Sequence, residues 1–206
     1  MANPNIMGVS AIRGKTTSIL VPTTSCTIVT NPASSGQLYK INSILASNVT
    51  ATAATVTLYM YSAAETYTAT SGTVGTVTSN AYTLTVPMSA GPFLATSASI
   101  SGSGISPIST GTSVTVGTIT ISGTNYSIVV TSTTNATASA GALTTLSWTN
   151  PAIERALAVN VTVPGNSSLV LLSKDSSIYL EEADYLYLSA GTTNAIHATC
   201  GFEVIG

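Results

Sequence analysis

Between Thr66 and Ile153 the chain runs 88 residues without a charged side chain. No ion pair can form within such a stretch, and no charged acid, base or metal ligand is available there. What folds it must be an apolar core with neutral polar groups outside. The rest of the chain carries all twelve charged residues, in 13–65 and 154–203, so charge covers 6% of the sequence against about 25% in a typical domain. Ser and Thr fill the gap at 65 of 206 residues. A hydroxyl surface has little electrostatic repulsion to keep copies apart, which favours a chain that lives in an assembly. Hydrophobic residues make up 44%, enough for a packed core, so the chain is not disordered.

The uncharged stretch is rich in Gly, Ser and Thr, with pieces such as SGTVGTVTSN and SISGSGISPISTGTS. A structureless loop of that length is improbable in a compact protein, and the runs VTVGTITI and YSIVV alternate as strands do. The reading is therefore a second small β domain, 65–150, inserted in a loop of a discontinuous β-sandwich domain, 1–64 plus 151–206. Loops accept such insertions because their ends lie close together.

Helix signals are nearly absent, and short alternating runs of Val, Ile, Thr and Tyr are broken by Gly, Asn, Pro and Ser. Strands are expected at Ser18–Pro22, Cys26–Thr30, Gln37–Ser47, Thr55–Tyr61, Tyr82–Val86, Ser113–Ile121, Tyr126–Thr131, Leu143–Trp148, Ala156–Val163, Ser168–Ser173, Ser177–Leu180, Tyr185–Ala190 and His197–Ile205. Turn signals every 8–12 residues predict an all-β sandwich of Ig-like or jelly-roll-like type. Pro151–Ala156, the one arguable helical turn, reads as a linker.

The chemical inventory for an enzyme is thin. His197 is the only histidine, and strand alternation sets Ala195, His197 and Thr199 on one face and Ile196, Ala198 and Cys200 on the other. A Cys–His dyad on this strand is excluded, and a triad would need Asp175 or Asp184 at His197 with no nucleophile elbow in sight. One His and two distant cysteines make no zinc spacing. Cys26 and Cys200 would pair only if the first and last strands were neighbours; two buried thiols fit a reducing cytosol better. The acidic cluster Glu181, Glu182, Asp184 is the one arrangement that suggests an ion such as Ca²⁺, against the simpler reading of a solvated corner guarding an edge. We therefore expect no catalytic, cofactor-binding or metal residues. Tyr59, Tyr61, Tyr179, Tyr185 and Tyr187 combine apolar bodies with hydroxyls, which suits a subunit contact better than a sugar platform; Trp148 alone is thin support for sugar. Five scattered basic residues argue against nucleic acid, and no apolar run is long enough to span a membrane. MANPNIMGVSAIRGK lacks the pattern of a secretory signal.

Two stretches carry a resemblance. TNPASSGQLYKINSILASNV (Thr30–Val49) with VTLYMY (Val56–Tyr61), and VPGNSSLVLLSKDSSIYLEEADYLYLSA (Val163–Ala190) with HATCGFEVI (His197–Ile205), resemble the two halves of a small β-sandwich in virion structural proteins of tailed phages, of the marine and cyanobacterial type. In that family a short turn joins the halves where this chain has its uncharged segment. ASSG reads as a turn into the next strand, SKD and EEAD as two hairpin corners. Where family members carry Gly in a GD corner this chain has Ala183, which leaves that turn type open. The resemblance implies a non-enzymatic virion component assembled in the host bacterial cytoplasm. Capsid decoration is the first expectation, followed by a neck, tail or fibre position. Its partners would be other virion proteins, the major capsid protein or tail and neck proteins, and it would form a homo-oligomer, with a trimer expected. The rival from another class is a secreted or surface sandwich module that binds carbohydrate.

Overall fold

A computed structural model of the chain describes residues 11–75, 81–92, 99–103, 114–132, 141–142 and 145–206. The chain divides into two compact units: one is built from residues up to Ala63 and from Ala152 onward, the other from Ala64–Pro151. In chain order the strands are β1 (Ile12–Val21), β2 (Cys26–Thr30), β3 (Leu38–Asn48) and β4 (Ala54–Ser62). Within the inserted unit they are β5 (Glu65–Ala69), β6 (Thr73–Val74), β7 (Ala81–Pro87), β8 (Ser99–Ser103), β9 (Val114–Ser122), β10 (Asn125–Ser132), β11 (Gly141–Ala142) and β12 (Thr145–Asn150). The chain then returns through β13 (Ile153–Val163), β14 (Ser168–Leu172), β15 (Ile178–Leu180), β16 (Tyr185–Ala190) and β17 (Ile196–Ile205). The protein is an all-β, sandwich-like structure.

In the flanking unit one sheet has the order β1-β17-β3-β14, with β15 also on β3, and the other β13-β4-β16-β2. Alternation explains the packing. On β17, Ile196, Ala198, Cys200, Phe202 and Val204 are buried while His197 is exposed. On β4 and β16, Val56, Leu58, Leu186 and Leu188 point inward. Both sheets feed one apolar cluster with Val21, Ile41 and Ile44; each such side chain contributes roughly 1.5–3 kcal/mol by leaving water.

Loops close on buried polar side chains. Asn31 Nδ2 donates to the Gln37 and Leu180 carbonyls at 2.8 and 3.1 Å, and its Oδ1 accepts from Ser35. Asn48 repeats the device, donating to Thr52 O and Val163 O and accepting from Thr50 N and Oγ1. Two buried amides thus satisfy carbonyls that the turns would leave unpaired.

The inserted unit has its own sheets, β11-β6-β7-β10-β9 and β5-β12-β8, and its own core of Tyr82, Leu84, Val86, Ile128, Val130, Leu146 and Trp148. Trp148 is fully buried, stacks with Tyr67 at 5.9 Å, and donates from Nε1 to Pro92 O. On the far face of β12, Thr149 and Ser147 pair through their hydroxyls with Thr66 and Thr68 at 2.7 and 2.9 Å. Parts of SGTVGTVTSN (76–80), of SISGSGISPISTGTS (104–113) and of two expected strands (Ser113, 143–144) lie outside the described residues, as do 1–10.

Several expectations need correction. Residues 153–156 of the expected linker Pro151–Ala156 are the start of β13, because pairing with β4 (Ile153↔Ser62, Glu154↔Tyr61) overrides the weak strand propensity of Glu, Arg and Ala. β1 begins at Ile12, six residues before the expected start. SKD and EEAD are not hairpin corners. β14 and β15 both pair with β3, with the 3-10 turn Lys174–Ser176 between them, while EEAD carries the chain from one sheet to the other. At that crossover Ala183 adopts φ +67°, with Asp184 N donating to Glu181 O. A positive φ at the third position is what a type II turn requires, and it explains why glycine suits the place.

Candidate functional site, a tyrosine face

The motifs Tyr59-Met60-Tyr61 and Tyr185-Leu186-Tyr187 each put two tyrosines on one face of a strand. The antiparallel register of β4 with β16 sets Tyr59 opposite Tyr187 and Tyr61 opposite Tyr185. The rings stack at 4.9 Å and 10°, and at 4.6 Å and 18°; Tyr185 and Tyr187 meet at 5.8 Å. Each stacked pair adds about 0.5–1.5 kcal/mol beyond area burial. Because the centroid distances match the spacing of neighbouring strands, the ring faces are turned toward each other. Edges and hydroxyls form the outer rim.

The four half-buried tyrosines occupy the outer face of the second sheet. Glu154 and Ala156 on β13 flank them on one side, and Thr27 and Thr30 on β2 on the other. Partial burial, then the hydrogen bonding and charge of Glu154, raise the Tyr187 hydroxyl well above the usual tyrosine range. The face is thus a neutral aromatic patch with a hydroxyl rim and one carboxylate. Such a composition suits a protein contact.

Tyr179 does not join it. It lies on β15 in the other sheet, opposite Lys40, which pairs with Glu203 at 3.9 Å. Trp148 is buried in the inserted unit and presents no ring to a ligand.

The other singled-out residues are dispersed. His197 sits opposite Ser47 near one end of β3, whereas Leu180, which leads into the acidic corner, pairs with Tyr39 near the other end. About 26 Å of strand separates those pairs, so His197 and Asp184 form no dyad. Cys26 and Cys200 belong to different sheets and are both free thiols. Burial pushes Cys200 up to about 12 and raises Cys26 as well. Neither is a reactive thiolate at neutral pH.

The acidic corner is not a solvated cluster. Asp184 is buried, accepting from Ala63 N on Oδ1 at 2.8 Å and from Glu181 N on Oδ2 at 3.2 Å. Its backbone carbonyl accepts from Asn31 N. Glu182 Oε1 accepts from Gly36 N at 2.6 Å. The Glu182 and Asp184 carboxylates diverge onto backbone donors while Glu181 is exposed, and among the described residues no group of three acidic, His or Cys side chains could hold a metal ion. Asp184 instead pins the last residue of the flanking unit before the chain leaves it. Sequence reasoning missed this clamp, since only its i, i+3 spacing on a turn was visible.

Comparison with family models, with curated proteins and with solved structures gave no match.

Proposed function

We propose that the chain is a structural component of a tailed-phage virion, a capsid decoration protein in the first instance and otherwise a neck, tail or fibre part. The flanking sandwich docks on other virion proteins. The observation that carries this reading is the tyrosine face, a nearly neutral, half-buried aromatic patch on the unit whose sequence resembles that family. Low overall charge supports it, because such a surface gains from being covered. The chain assembles as a closed homo-oligomer, with a trimer the form to test first by native mass spectrometry. Peptide mass mapping and cryo-electron microscopy of purified particles test the main claim: the chain is found on the particle at fixed copy number, and its absence would overturn the reading. Alanine at Tyr59 and Tyr187 should reduce its incorporation at least tenfold. Sugar binding is the weaker reading, because the stacked rings present edges and the sole Trp is internal. Glycan binding lost on replacement of these tyrosines would favour it.

A further inference from the structure

Strand β1 leaves a long edge open. Its pairing with β17 runs without a register shift from Ile12↔Ile205 to Val21↔Ile196. Just beyond, Ala11 N donates to Gly206 O at 2.9 Å and Gly206 N to Ala11 O at 3.2 Å. Pairs that exchange both bonds recur every second residue in an antiparallel ladder. Arg13, Lys15, Thr17, Ile19 and Val21 therefore turn their backbone groups toward β17. Ile12, Gly14, Thr16, Ser18 and Leu20 turn theirs outward, and among the described residues no strand pairs with them in a ladder, although β2 of the facing sheet packs beside β1 and its Ile28 carbonyl accepts from Thr17 Oγ1 at 3.1 Å.

Two features of this edge point to an occupant. Gly14 stands in mid-strand, where a Cβ would meet nothing within 4 Å and φ is not positive. The chain's own packing and backbone do not call for glycine there, although glycine weakens a strand. Glycine inside a strand often marks the close approach of another backbone. Arg13 and Lys15, two of the five basic residues, share one face of β1 and line a shallow groove of about 200 Å³ with Gln37, Val204 and Gly206. Among the described residues neither is in an ion pair; the pair that forms is Lys40–Glu203.

Charge selects the occupant. β1 carries no acidic residue, so a second copy of it offers Arg13 and Lys15 no counter-charge in any register. The one i, i+2 acidic pair in this sequence is Glu182 and Asp184, held in a turn with both carboxylates already bonded. No strand of this chain therefore supplies the complement.

We propose that the β1 edge receives an extended segment of a different protein by strand addition, with acidic side chains at alternate positions against Arg13 and Lys15 and its backbone against Gly14. The inference deepens the structural reading above and rests on it only for the kind of partner, another assembly protein. Main-chain bonds supply affinity in this mode and alternate side chains supply selectivity.

The test is amide NMR of the full chain titrated with three ten-residue peptides, alternating Thr with Glu, Gln or Lys. The Glu peptide should bind with a Kd near or below about 1 mM and shift the amides of Ile12, Gly14, Thr16, Ser18 and Leu20. The Lys peptide should bind at least tenfold more weakly. R13E/K15E should reverse the preference, and R13Q/K15Q should level it. Thr16→Pro removes an outward-facing N–H that the pairing with β17 does not use, so it should weaken binding at least tenfold with little change in Tm, which separates a lost ladder bond from a damaged fold. Equal affinity for the Glu and Lys peptides, no saturable binding, or shifts confined to the tyrosine face would overturn the proposal; edge charges that only prevent aggregation predict the first two. If particle mapping finds the chain on virions while the peptides fail, this inference falls and the virion reading stands. The converse result separates them the other way.

Discussion

The two units solve the same problem with different chemistry. The flanking sandwich holds eleven of the twelve charged residues, and the inserted unit only Glu65. In the former, charged and amide side chains act as internal fasteners: Asp184 on Ala63, Glu182 on Gly36, Asn31 and Asn48 on turn carbonyls. In the latter, hydroxyl pairs across β5 and β12 and one shared carbonyl, Pro92 O under Trp148 and Asn150, serve that end. A sheet needs an apolar face, satisfied edges and no charge to hold together. Charge belongs where loops must be fixed in one conformation.

That contrast can be broken experimentally, most severely at the cores. Trp148→Ala should cost the inserted unit about 3–5 kcal/mol and unfold it while the flanking transition stays put. Hydrogen exchange resolves the two, and simultaneous loss of protection in both would mean one cooperative body. Asp184→Ala should take about 2–3 kcal/mol from the flanking unit, since two backbone donors lose a charged acceptor. Chemical denaturation should show it, with the inserted unit's protection unchanged.

Alkaline pH offers a subtler comparison. Cys200 rises from 9.0 to about 12 and Tyr82 from 10.0 to about 12, both through burial. Above pH 9 the unfolded Cys200 ionises while the folded thiol stays neutral, so stability falls with rising pH between the two values. The flanking unit should therefore begin to weaken near pH 9 and the inserted unit near pH 10, as read by exchange-detected melting. Cys200→Ala should flatten the earlier slope. The smallest effect expected is a gain: Ala183→Gly relieves φ +67° and should stabilise the flanking unit by about 0.5 kcal/mol, raising its Tm. A lower Tm would show that the turn does not strain Ala183.

Much of this was legible beforehand. Alternation revealed β7, β16 and β17 because one face of each is buried and the other is not, while β2 and β4, with consecutive buried residues, showed as short runs rich in β-branched and aromatic residues. It failed for Ile12–Thr17, where Arg13, Gly14 and Lys15 interrupt the pattern on an exposed edge, and for β8, whose Ser and Gly signal turns. Only the start of β13, residues 153–155, was hidden, because Glu154 and Arg155 have weak strand propensity and follow Pro151. Yet each tyrosine doublet was readable, along with the face it shares. Their union into one patch depends on the register of β4 with β16, strands about 125 residues apart in sequence, and no local pattern encodes that. The burial of Asp184 was invisible for the same reason, because its partner Ala63 lies 121 residues away.

The central claim is that the flanking sandwich is complete without the insert. Ser62 and Ile153 are cross-strand partners, so the chain leaves and returns one strand spacing apart. Replacing Ala64–Pro151 with a two-residue Asn-Gly turn tests this directly. The shortened chain should melt cooperatively and keep the near-ultraviolet circular dichroism of its stacked tyrosines, with tryptophan fluorescence gone. A product without a cooperative transition would contradict the account.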